Sequence, residues 1–82
     1  MDNEIREKIQ RLQLKAEQLL AEDKKAFITD INNTYFFCDI LIVGENKITF
    51  KPFKGNNFNE NVTKYWADIV KIDEYKERED LI

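Results

Sequence analysis

An 82-residue chain has room for one domain, residues 1–82, with a modest core. It lacks His and Ser and carries a single Cys38, which excludes an intramolecular disulfide, a Ser- or His-based triad and a Cys/His zinc site, so stability must come from the core, alone or together with self-association. With 43% hydrophobic and 12% aromatic residues the composition is globular, and a net charge of −3 weighs against the basic footprint of a nucleic-acid binder.

The first ten residues, MDNEIREKIQ, are charged from Asp2 on and have no apolar centre, so no secretory signal is expected there. Asp2 or Asn3 can cap a helix. Ile5, Ile9, Leu12, Ala16 and Leu19 then recur at alternating spacings of four and three, which keeps them on one face of a helix over residues 3–22. Leu14 and Leu20 lie off that stripe and widen the apolar surface. Glu4–Lys8 and Glu7–Arg11 are i, i+4 pairs in the favourable order, worth a few tenths of a kcal/mol each. Asp23-Lys24 ends the element. Twenty helical residues extend about 30 Å, longer than a small sheet is wide, so the helix is expected to overhang its own globule.

From Lys25 the period changes. Residues 25–31 read as a strand, and Asn32-Asn33 as a turn, because Asn tolerates left-handed backbone. Thr34 to Val43 is β-branched or aromatic almost throughout, which fits a central strand buried on both faces or a strongly bent one. Gly44-Glu45-Asn46 is a tight connection with Gly or Asn placed for positive φ. In the next strand Lys47, Thr49, Lys51 and Phe53 share one face and Ile48, Phe50 and Pro52 the other; Pro52 ends the strand or marks an edge. Lys54 to Asn61 is a polar loop holding Phe58. Val62 to Trp66 and Ile69 to Tyr75 are the last strands, with Ala67-Asp68 as a short turn between them. Residues 76–82 are a solvated tail. The expected fold is α+β: a long N-terminal amphipathic helix, then a small five-stranded antiparallel, strongly bent sheet or barrel over residues 25–75. The regular strand spacing favours a closed or nearly closed barrel.

Four features carry a resemblance over residues 24–75: the preceding helix, the turn at Asn32-Asn33 into TYFFCDILIVGEN, the antiparallel return KITFKPF, and KYWADIVKIDEY with its turn before the last strand. This order resembles the small, strongly bent barrels of the Sm-like proteins. The resemblance implies their fold and a tendency to self-associate. It transfers no RNA-binding residue. Asp30-Ile31-Asn32 lies before the long strand, whereas the family's Asp-x-Asn loop follows it, and Trp66-Ala67-Asp68 stands where the family has an Arg-Gly pair.

Two candidate surfaces follow. The helix stripe Ile5, Ile9, Leu12, Ala16 and Leu19 either packs on the sheet or forms an oligomer interface, its spacing also being a heptad pattern two repeats long. Lys47, Lys51, Lys54, Lys64 and Tyr65, within a basic aromatic stretch over residues 47–66, are candidates for single-stranded nucleic acid, with the lysines tracking phosphate and the rings stacking bases. Phe50 and Trp66 of the same stretch read as core. Cys38 reads as an inert buried thiol, having no His or positive field to activate it. Strand alternation puts Asp39, the lone charge of the long strand, on the face of Phe37 and Leu41. The glycines are isolated, so no phosphate loop exists, and no carboxylate spacing matches a calcium loop. The expectation is a cytoplasmic protein-interaction or assembly module, not an enzyme. It needs no cofactor or metal and no membrane, and its partner is itself or another protein. Binding of single-stranded RNA is the alternative.

Overall fold

The computed structural model describes residues 2–54 and 60–76. Phe58 and the greater part of the expected tail lie outside the described residues. The order of elements is a helix α1 (Asp2–Ala21), strands β1 (Lys25–Asp30), β2 (Tyr35–Val43), β3 (Lys47–Lys54) and β4 (Val62–Tyr65), a 3-10 turn η1 (Trp66–Asp68), and β5 (Ile69–Glu74). The helix already includes Asn3, so Asn3 is a first-turn residue and not a cap.

The helix stops in a Schellman arrangement. Lys24 N–H donates to the Leu19 carbonyl at 2.9 Å and Asp23 N–H to Leu20 at 3.1 Å. The left-handed position that this requires falls on Asp23, with φ 56°. The second left-handed residue, Asn33 at φ 61°, makes the β1–β2 turn. Gly44 lies outside the left-handed region. It is required by crowding instead, since a Cβ there would sit 2.9 Å from the Lys47 carbonyl oxygen to which the Gly44 N–H donates.

The sheet is antiparallel with the order β4-β3-β2-β1-β5. Strand alternation sorts its faces. Ala26, Ile28, Phe36, Cys38, Ile40, Ile48, Phe50 and Pro52 point inward, and α1 covers them with Leu12, Ala16 and Leu19. Trp66, Ile69 and Ile72 complete the core. Two register shifts bend β2 and β3. One leaves Leu41 as the extra residue of β2; the other leaves Phe53 as the extra residue of β3, beside Pro52. Pro52 is tolerated there because the β4 ladder has already ended at Phe50–Val62.

The chain passes from one margin of the sheet to the other through η1 alone. Five flat strands would put those margins about 19 Å apart, yet the step from Tyr65 to Ile69 reaches at most roughly 14 Å. The sheet must therefore curl. It does not close, for β4 and β5 form no ladder with each other. The expected closed or nearly closed barrel is an open, curled sheet, because the turn that brings the margins near also points the two strands past one another. Trp66 fixes this corner. Its indole Nε1–H donates to the Gly44 carbonyl at 2.9 Å and its backbone N–H to Asn46 at 3.1 Å. Gln13 on α1 donates to the Glu45 carbonyl at 2.8 Å, which ties the helix to the same turn.

Candidate functional site

The stripe on α1 divides along its length. Leu12 (8% exposed), Ala16 and Leu19 are buried in the chain's own core, so these three serve the fold and are not available to a partner. The physical reason is position: they lie where the helix crosses β1, β2 and β5. Ile9 is half-buried and Ile5 is 54% exposed. Every residue from Asn3 to Lys8 is exposed, so the first two turns project past the sheet. Beside them run two adjoining clefts of about 430 and 540 Å³ that share Ile9, Glu45 and Asn46. The first passes under Ile5 and Gln13; the second reaches Tyr65, Trp66 and Ala67 next to the β4 margin.

Both sheet margins carry exposed apolar side chains, Tyr65 (56%) on β4 and Val70 (44%) on β5. Ladder alternation assigns their free amides. Trp66 N–H bonds Asn46, so Val62 and Lys64 face β3 while the N–H groups of Thr63 and Tyr65 point outward. Tyr75 N–H bonds the Lys25 carbonyl at 2.9 Å, so Ile72 and Glu74 present theirs on the other margin.

Of the five residues considered for nucleic acid, Lys47, Lys51, Lys54 and Tyr65 share the outward face of the sheet, and Lys64 does not. Lys47 and Tyr65 pair with each other across β3 and β4, the ammonium 5.1 Å from the ring centroid. Lys51 is exposed opposite Asp39. Lys54 donates to the Tyr75 hydroxyl at 3.0 Å and lies 4.5 Å from the Phe37 centroid. Lys64 points to the other side of the sheet, where its ammonium reaches the Asp30 carboxylate at 3.3 Å.

Two arrangements escaped the sequence reading. Phe27, Phe37, Phe53 and Tyr75 form a half-buried aromatic layer on the outward face, with Phe27 and Phe37 stacked at 5.0 Å and Tyr35 extending the stack at 5.4 Å. Lys25 and Lys54 lie over it. Alternation of Lys25, Phe27 and Thr29 against Tyr35, Phe37 and Asp39 was the available signal. Asp39 joins this face and pairs with Lys25 at 3.1 Å. The second is Asp30, 3% exposed. Its Oδ1 accepts from Asn32 and Thr34 N–H, each at 2.9 Å. Burial works to raise its pKa, but the Thr34 and Asn32 amides and the Lys64 ammonium outweigh it and hold the carboxyl below its ordinary value. Burial pushes the Cys38 thiol up to about 12, with Asp39 adding to it, so no thiolate is present at neutral pH.

The chain matches no protein-family model, no curated protein and no solved structure. The functional reading rests on the two open margins and the overhanging helix. No helix among the described residues is long and apolar enough to cross a membrane.

Proposed function

We propose that this protein is a non-enzymatic assembly module of the cytosol that associates with copies of itself, the β4 margin of one copy pairing with the β5 margin of the next. The observation that carries this reading is the pair of unpaired sheet margins flanked by exposed apolar side chains. An unpaired strand is a template for another chain. The margins are different surfaces, so their pairing is head-to-tail and repeats from copy to copy, into a ring where the rotation closes and into a filament where it does not. On the β4 side, Ile5, Ile9 and Tyr65 border the clefts that would receive Val70 of the next copy. The helix followed by a curled five-stranded sheet supports an Sm-like fold, whose resemblance implies self-association. The lack of His and Ser and the inert thiol support a non-enzymatic role. Cytosolic location is favoured because a lone free thiol stays reduced there.

Sedimentation equilibrium tests the reading. The wild-type chain should run as a multiple of 9.8 kDa. Thr63→Pro should run as a single 9.8 kDa chain with an unchanged far-ultraviolet circular dichroism spectrum, since it removes an outward N–H and no backbone bond to β3, only the exposed Thr49–Thr63 hydroxyl contact at 2.9 Å. A wild-type monomer at high micromolar concentration defeats the proposal.

A further inference from the structure

The lysines of β3 and β4 are mostly engaged, but a row of cations on α1 is not. Lys8, Arg11 and Lys15, with Lys71 on β5, border an open cleft of about 470 Å³ lined below by Leu12, Val70 and Ile72. Asp73 is the only carboxylate lining it among the described residues, and it faces Lys71 at 3.3 Å. Among the described residues, Lys8, Arg11 and Lys15 form no ion pair, so the expected Glu4–Lys8 and Glu7–Arg11 pairs are not closed, although both carboxylates lie one turn away. Four cations and one acid among the described residues therefore line the cleft, on a chain whose net charge is −3.

The arrangement is linear. Helical geometry strings Lys8, Arg11 and Lys15 along about 10 Å of one flank of α1. A compact anion needs donors that converge on a point, whereas a row of separate cations suits a polymer whose charge repeats along its length. A cleft of this volume, walled by a helix and a strand, admits one backbone and not a duplex. No aromatic side chain among the described residues lines it, so they offer no platform for bases. The geometry points to a track for the phosphodiester backbone of a single-stranded nucleic acid, bound without regard to sequence. Arg11 supplies a bidentate pair to one phosphate, and Lys8, Lys15 and Lys71 neutralise its neighbours as point charges. This site is separate from the Lys47–Tyr65 stretch. It lies within one chain and does not need assembly, but it shares Val70 and Ile72 with the β5 margin, so a copy paired there borders the same cleft.

Fluorescence anisotropy of the full chain with a labelled twelve-nucleotide dT strand tests it. Four neutralised phosphates predict a slope of log affinity against log salt of about −3, or roughly a fifty-fold loss between 50 and 200 mM salt. A dA strand should bind within about threefold of dT, because phosphate contacts carry no sequence information. Replacing Lys8, Arg11 and Lys15 together by Gln, a good helix former, should lower affinity at 50 mM at least tenfold and bring the slope near −1. Thr63→Pro should bind like the wild type. The proposal is overturned by no binding at 50 mM salt, by unchanged affinity in the Gln variant, or by a preference of more than tenfold between dA and dT. It is likewise overturned if Thr63→Pro alone abolishes binding, which would make the site a product of assembly. Binding to phosphatidylserine vesicles without binding to the strands would assign the cleft to an anionic lipid surface instead.

Discussion

Asp30 is a buried carboxylate whose stabilisation has a definite pH dependence. Its pKa is lower in the folded chain than in the unfolded one, so folding favours the charged form. That contribution is complete above the unfolded value of about 3.9 and drains away as pH falls through the folded value. Asp30→Ala leaves the Asn32 and Thr34 amides and the Lys64 ammonium without an acceptor. It should cost about 3 kcal/mol in urea unfolding at pH 7. Asp30→Asn keeps an acceptor for the amides and should cost less. The wild type and the Asn variant should converge as pH falls from about 5 to about 2; a gap constant over that range would show that the carboxylate's charge is not the source. Gly44 has a different kind of constraint. Its Cβ would meet a backbone carbonyl at 2.9 Å, which no rotamer change relieves, so Gly44→Ala should cost about 1–3 kcal/mol by the same measurement.

The elements were legible because their periods are unambiguous. The spacing of Ile9, Leu12, Ala16 and Leu19 is helical, and each β strand falls within a residue or two of where β-branched and aromatic runs place it. What the sequence could not reveal depends on a partner strand. The extra residues Leu41 and Phe53 exist only relative to the ladder opposite them, and Asp30 becomes buried only when β4 carries Lys64 across the sheet's inner side. The helix terminus was readable from Asp23-Lys24, and it invites improvement. An Asp at φ 56° carries a steric cost that Gly lacks. Asp23→Gly should therefore raise stability by up to about 1 kcal/mol in thermal unfolding, less the extra chain entropy that Gly brings to the unfolded state. A loss of stability on that change would mean that the Asp side chain contributes a favourable interaction there. Leu12 belongs to the same scale: as a core residue at 8% exposure, Leu12→Ala should cost about 2–5 kcal/mol.

At the scale of the molecule the helix has two parts, one packed on the sheet and one exposed, and its spacing does not say where they meet. A stripe pattern tells which residues share a face, but not how far along the helix the sheet reaches. Here the sheet reaches Leu12, Ala16 and Leu19 and touches Ile9, while Asn3 to Lys8 stay exposed. Alternation likewise divides the candidate nucleic-acid residues, sending Lys64 inward while Lys47, Lys51, Lys54 and Tyr65 stay on the outward face. The division of the helix can be tested by cutting it. Removing residues 2–7 shortens α1 from 20 residues to 14 and takes no residue from the core. The midpoint of thermal unfolding of the monomeric Thr63→Pro chain should therefore move by no more than about 4 °C when the cut is added, equivalent to less than roughly 1 kcal/mol for a domain of this size. In the wild-type background the same cut removes Ile5 from the wall of the cleft beside β4, so association measured by sedimentation should weaken at least tenfold. Association that survives the cut at full strength would leave the pairing of β4 with β5 to act alone, and the overhanging turns would then need another purpose.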